Sequence, residues 1–244
     1  MEAARALSAE VIYGRNAVLE AARAGRVRRI LIAEGVGPDP RLDELGRLAP
    51  VERVTAAHLE SLARGRHQGV AAELAPRRFL NLRQFLETEP ALVVALDSIL
   101  DPQNLGAILR SAEAAGADGA ILPERRSAPL SPAAIKASSG ATELLPLCRV
   151  SGLAAAIPEL KRAGIWCAAL DTDGDMAPWD FDLTQRVCLV VGGEGTGVHR
   201  LVKERCDVRL RLPMRGKIES LNASAAAAAL LYEAVRQRSA ARAG

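Results

Sequence analysis

From residue 91 onward the chain alternates between two kinds of segment. Short, almost wholly apolar runs (ALVVAL at 91–96, GAIL at 119–122, LLPLCRV at 144–150, IWCAAL at 165–170, RVCLVV at 186–191) are separated by stretches with helical periodicity. A strand covered by helices on both faces shows no polar side, so it reads as an unbroken apolar run, and such strands pair in parallel. Helices are expected at 104–115, ended by Gly116, near 132–139, at 153–163 with Pro158 kinking or delaying it, and near 198–205. The segment DTDGDMAPWDFD reads as a polar loop, VRLRL as a last strand, and the alanine run after Asn222 as a last helix. The predicted fold class is α/β, with a parallel sheet. Aromatic residues are only 3% of the chain against 49% hydrophobic, so the core must be aliphatic.

Residues 1–75 read as a separate, small α/β unit. Helical periodicity over 14–24 precedes a strand at 27–33. A helix at 42–48, a strand at 51–54, a helix to Ala63 capped by Thr55, and a strand at 69–74 follow. The proline-bounded segment 76–90 is the expected linker, with room for one helical turn, and 91–244 the second domain. Residues 1–80 hold 13 Arg and 10 acidic side chains and no Lys, whereas the rest is balanced, so the net +3 lies at the N-terminal end. Arginine makes forked contacts with phosphate and stacks on bases, so this bias suits nucleic acid as well as a solvated surface. The four cysteines form no C-x-x-C pair, and three sit in apolar runs. Reduced, buried thiols in a cytosolic protein are expected, with no metal site. The N-terminus lacks a secretory pattern and no apolar run is long enough to span a membrane.

Three constellations carry chemistry. In LDSILDPQNLGAILR (96–110) an Asp-Pro turn leaves a strand and Asn104 opens a helix. Leu105, Ile108, Leu109 and Ala112 form its apolar stripe, and Arg110 lies off that stripe. Gly106 is expected to clear bulk beside Asn104, itself a natural helix cap. VGGEGTGV (191–198) is a glycine loop between strand and helix. It lacks the Lys-Ser/Thr pair of a P-loop and the spacing of a dinucleotide fingerprint, which discounts a nucleotide hydrolase. Glu194 within it disfavours phosphate and suits a neutral or cationic ligand. In RLPMRGKIESLNASAAAAALL (211–231), Ser220 and Asn222 are cap formers. Leu212, Met214 and Leu221 are either core or the lining of an adenine-sized slot.

Together, Asp101-Pro-Gln-Asn104-Leu-Gly-Ala-Ile-Leu-Arg110, Gly192-Gly-Glu194-Gly-Thr-Gly197 and Leu212-Pro-Met-x-Gly-x-x-x-Ser220-Leu-Asn222 resemble the three signature motifs of the SpoU (TrmH-like) RNA ribose 2′-O-methyltransferases, a class of the SPOUT superfamily. The N-terminal pieces Ile12-Tyr13-Gly14-Arg15-Asn16-Ala17-Val18 and His67-Gln68-Gly69-Val70 resemble the RlmB branch, although that branch usually carries His at the position of Asn16. In the third motif it usually carries Val where this chain has Ala223.

The resemblance implies a deep C-terminal trefoil knot in the catalytic domain, S-adenosylmethionine bound in a bent shape, and a homodimer with the site at the subunit interface. It implies cofactor contacts from Gly192, Gly193, Leu212, Met214 and Leu221. It also implies that Arg110 orients the ribose or a phosphate, positioned by Asn104, Glu194, Ser220 and Asn222, with no metal. Structured RNA, 23S ribosomal RNA in the RlmB branch, would dock on the N-terminal domain through Arg15, Arg28, Arg29, Arg64 and Arg66. A tRNA ribose methyltransferase of the same class and a non-catalytic RNA-binding protein are the competing readings.

Overall fold

The computed structural model describes residues 10–63 and 67–243. The chain divides into two compact units between Arg78 and Phe79.

The first unit comprises β1 (Glu10–Tyr13), α1 (Arg15–Arg23), β2 (Val27–Ala33), α2 (Pro40–Leu48), β3 (Val51–Val54), α3 (Ala56–Leu62) and β4 (Val70–Leu74). Its sheet runs β1-β4-β2-β3, with β2 and β3 parallel and the other pairs antiparallel. Strand β1 is not foreseen from sequence. Thr55 caps α3 as expected, accepting from the His58 N–H. Asp39 caps α2 through the Arg41 N–H, with Pro40 in the first turn where its missing N–H costs nothing. The same carboxylate pairs with the guanidinium groups of Arg41 (2.7 Å) and Arg15 (2.5 Å).

The second unit continues with α4 (Leu82–Leu86), β5 (Leu92–Asp97), α5 (Pro102–Ala114), β6 (Gly119–Pro123), α6 (Pro132–Ala137), α7 (Ala141–Leu144), β7 (Leu147–Val150), α8 (Leu153–Arg162) and β8 (Trp166–Leu170). A 3-10 turn (Pro178–Asp180), β9 (Val187–Gly192), α9 (Arg200–Arg205), β10 (Val208–Leu210) and α10 (Ala223–Ala243) complete it. Its six strands are all parallel, in the order β10-β8-β9-β5-β6-β7. Strand β5 shows why the runs are continuous. Leu92, Val94 and Leu96 join the apolar layer under α5 and α10, while Val93 and Ala95 join the opposite layer with α8 and Val202.

The structure corrects three expectations. Most of segment 76–90 is not a linker. Helix α4 carries a reciprocal Asn81–Gln84 capping box, Phe85 is fully buried in the second unit, and Leu80 bridges Cys148. Segment 144–150 is a strand only from Leu147, because α7 occupies its start. Gly106 serves helix packing rather than Asn104: a Cβ there would lie 2.3 Å from the Ala134 carbonyl oxygen of α6. Pro158 sits inside α8 and cannot donate to the Ala154 carbonyl. That oxygen instead accepts from the Arg205 guanidinium.

Cys148, Cys167 and Cys188 are buried, and burial pushes the Cys148 thiol up to about 11 and that of half-buried Cys206 to about 12. At neutral pH these two stay protonated thiols. Helix α10 buries Ala223, Ala227, Leu230, Leu231 and Ala234 along one stripe. Arg238 fixes its far half, donating to the carbonyls of Ala91, Leu183 and Gln185.

The hydrogen-bonded Arg41 guanidinium, with the Arg41 N–H and Arg15, holds the Asp39 carboxyl well below the usual carboxylate range. A depressed folded pKa stabilises above the unfolded value, and that contribution is lost as pH falls towards the folded one. Asp39→Asn should therefore lower the melting midpoint of the first unit at neutral pH. The gap from the unsubstituted chain should narrow below about pH 4. Calorimetry across pH checks both.

Candidate active site

Strands β5 and β9 are neighbours, with Asp97 in register with Gly192. On one side of β5 the sheet grows through β6 and β7, and on the other through β9, β8 and β10. Ligands of open parallel sheets bind outside the carboxyl ends of the strands at such a reversal.

The chain leaves β9 in the glycine loop. The Gly193 N–H donates to the Asp97 carbonyl (2.9 Å) and the Gly197 N–H to the Gly193 carbonyl (2.9 Å). A Cβ on Gly193 would lie 2.0 Å from the Ser98 carbonyl oxygen, and one on Gly192 2.0 Å from the Gly197 carbonyl carbon. The first task of these two glycines is to let the loop close on itself and on the exit of β5. The Asp97 carboxylate, buried, accepts from the His199 N–H (2.7 Å) at the other end of the loop.

Helix α5 is capped by Asp101, whose carboxylate accepts from the N–H groups of Gln103 and Asn104. Asn104 is therefore not the cap, and its amide is free for other work. It is buried, and its Nδ2 donates to Glu194 Oε1 (2.8 Å). Asn222 Nδ2 donates to the same oxygen (2.6 Å) and to Asn104 Oδ1 (3.0 Å). A carboxylate only accepts, so Glu194 dictates which way both amides face. Asn222 also caps α10, its Oδ1 accepting from the N–H groups of Ser224 (2.9 Å) and Ala225 (3.3 Å). Capping and site-building are one role here. Three segments, with Glu194 90 and Asn222 118 residues beyond Asn104, thus meet at one carboxylate oxygen.

Beside Glu194 opens a cavity of about 1000 Å³. Gly192, Gly193, Leu212, Met214, Ser220 and Leu221 line it, as does Glu194 itself. Met214 (37%) and Leu221 (45%) are exposed, so they are walls of a slot and not core. Sequence reading missed Asp171, Lys203, Arg211, Lys217 and Ile218, which also line it. Lys203 pairs with Asp171 (2.6 Å). Asp97 and His199 were missed as well. An acid closing an otherwise apolar strand was the one available signal for Asp97.

Arg110 is not drawn into this cluster. It is exposed, and no hydrogen bond or ion pair joins it to another described residue. Within one chain, none of Asn104, Glu194, Ser220 and Asn222 hydrogen-bonds to it. In the first unit, Arg15 is held by Asp39 and Gln68, and Arg29 by Glu52 and Glu73. Arg28 is exposed without such a pair, and Arg64 and Arg66 lie outside the described residues.

A parallel α/β sheet whose reversal point carries a glycine loop, a carboxylate–diamide cluster and an apolar-walled cavity defines a small-ligand-binding α/β protein. Comparison with known proteins narrows this. Residues 91–232 match the SpoU rRNA Methylase family, and residues 11–80 the family of RNA 2′-O ribose methyltransferase substrate-binding domains. The chain belongs to the SpoU/TrmH family of RNA methyltransferases. It is 41% identical over 238 residues to a TrmH family tRNA/rRNA methyltransferase of Staphylococcus haemolyticus, covering 93% of this chain and 96% of that one. The SpoU methyltransferase AviRb of Streptomyces viridochromogenes, solved with the cofactor AdoMet, is 30% identical with a TM-score of 0.78 over 93% of this chain and 89% of its own. A TrmH/SpoU tRNA modifying enzyme of A. aeolicus is 26% identical with a TM-score of 0.56, covering 66% of this chain and 84% of its own.

Asn104→Asp would set an acceptor on the buried Asn104 side against the Glu194 acceptor in a part-buried contact. Urea unfolding should show a loss of about 1–3 kcal/mol. Adding Glu194→Gln, which supplies a donor again, should recover part of it, giving a non-zero coupling in the double-mutant cycle.

Proposed function

We propose that the chain transfers a methyl group from S-adenosylmethionine to a ribose 2′-hydroxyl of RNA, that of a guanosine in 23S ribosomal RNA. The observation that carries this reading is the Asn104–Glu194–Asn222 cluster, built from all three sequence motifs at the edge of one cavity. The cavity fits such a cofactor. Leu212, Met214 and Leu221 offer apolar walls, Gly192 and Gly193 offer main chain, and Glu194 sets a carboxylate at the edge, while Asp171 is already paired with Lys203. When bound, the cofactor supplies an electrophilic methyl on a sulfonium sulfur.

The residues of the chain hold the reactants. A ribose hydroxyl is a weak nucleophile and must lose its proton on attack. The Arg110 guanidinium has only donors and no acceptor, so it is no resting base. It orients the ribose or an adjacent phosphate and favours the alkoxide. Arg110 lies six residues beyond Asn104, which is about 9 Å along the helix and about 240° around it. It therefore meets the substrate from a different side. A homodimer with the site at the subunit interface brings those sides together. The two amides hold Glu194 Oε1, leaving Oε2 for the polar side of the site, with Ser220 on the cavity wall.

The fold within this reading is an α/β knot, in which the segment ending in α10 passes through a loop as a deep trefoil. The small side chains of α10 suit that close passage. The first unit docks structured RNA by shape and phosphate contacts. Arg28 is one of its exposed cations, and Arg64 and Arg66 are proposed to join it. The 93% coverage shared with AviRb, against 66% with the tRNA modifying enzyme, supports a two-unit protein distinct from the latter.

Arg110→Ala should lower single-turnover methylation by about 100-fold while cofactor and RNA still bind. Unchanged single-turnover rates would remove Arg110 from the chemistry. Ribose-methylation mapping on RNA from cells lacking the protein should show one 2′-O-methylguanosine missing from 23S rRNA. A loss confined to tRNA would instead favour the tRNA reading.

A further inference from the structure

We propose that His199 is a positioning residue, locked as the Nδ1–H tautomer between Asp97 and Arg126, which fixes the loop carrying Glu194. The inference rests on the reading of Glu194 above. His199 Nε2 lies 3.1 Å from an Arg126 guanidinium nitrogen. A guanidinium only donates and does not lose its proton in proteins, so Nε2 accepts. The ring is then neutral and its proton sits on Nδ1. That N–H points at Asp97 Oδ2 (3.1 Å), with the Ser98 hydroxyl oxygen at 3.3 Å.

Asp97 thereby holds both ends of the glycine loop. Its carbonyl accepts from the Gly193 N–H (2.9 Å) at the start. Its carboxylate accepts from the His199 N–H (2.7 Å) and ring at the end. Glu194 is the second residue of the loop so held. The Arg126 side adds a third support. Arg126 has φ +58°, a conformation that a non-glycine residue keeps only where its surroundings impose it. Its loop is pinned to the exit of β5 by the Ala128 N–H on the Ile99 carbonyl (2.7 Å). The imidazole therefore ties together the loops that follow β5, β6 and β9.

Two measurements test this on the whole 244-residue chain. Nitrogen-15 spectra of its imidazoles at mildly alkaline pH, with His199 assigned through His199→Gln, should show the Nδ1–H tautomer. The Nε2–H tautomer, or an average of the two, overturns the lock. In steady-state methylation, His199→Ala should lower kcat about tenfold with both KM values within about twofold. His199→Asn, whose amide nitrogen takes the place of Nδ1 beside Asp97, should recover most of that loss. Gln, which reaches only towards Arg126, should not. Equal losses for Ala and Asn would mean a merely structural role and overturn the proposal. So would an unchanged kcat in His199→Ala while Glu194→Gln abolishes methylation. Full activity in Glu194→Gln would instead remove Glu194 from the site, and the tautomer would still decide whether the imidazole is locked.

Discussion

The pairing of β5 with β9 is the constraint on which the rest depends. It joins strands far apart in sequence, so that Asp97 and Gly192 end side by side where the sheet reverses its growth. Parallel strands leave their carboxyl ends on the same edge, and the loops that follow them must share that space. The glycine loop fits against the exit of β5 only because Gly193 has no Cβ to strike the Ser98 carbonyl. That fit brings Glu194 to Asn104, and Asn222 joins them from the start of α10. The cluster is a consequence of strand order before it is a matter of side-chain choice.

Charge is used differently in the two units. In the first, much of the arginine excess is spent internally. Arg15 and Arg41 enclose the buried Asp39, and Arg29 joins Glu52 to Glu73 across the sheet. Exposed pairs of this kind contribute little each, but Asp39 is buried and also caps α2. In the second unit guanidinium groups repair main chain. Arg205 serves the carbonyl that Pro158 leaves without a donor, and Arg238 serves three carbonyls under α10. Counting arginines in the sequence cannot separate these uses from contact with RNA, because each depends on what lies opposite the side chain.

Much of the second unit was legible because a doubly covered strand has no alternative pattern. Every long apolar run became a strand or the greater part of one. The errors fall where the pattern is short. Strand β1 has four residues and α7 has four, and α4 anchors a segment expected to be a linker. Their existence is decided by burial against distant partners, as with Phe85. Helix α5 was placed correctly but its cap was not. Asp101 and Asn104 are both cap formers, and local spacing alone does not choose between them. The choice matters, because capping by Asp101 releases the Asn104 amide for Glu194.

The sequence by itself determined the alternation of strands and helices, the placing of a glycine loop and a Glu between β9 and α9, and the three motifs that mark the family. These are local properties: periodicity, small residues and residue type at fixed spacing. Tertiary structure alone decided which motifs meet, which arginines are already paired, and that Asn222 both caps α10 and holds Glu194. It also decided that Asp97 and His199 belong beside the site. Each of these outcomes depends on distances between segments on different strands, and strand order is set by packing of the whole sheet. No local stretch of sequence records that order.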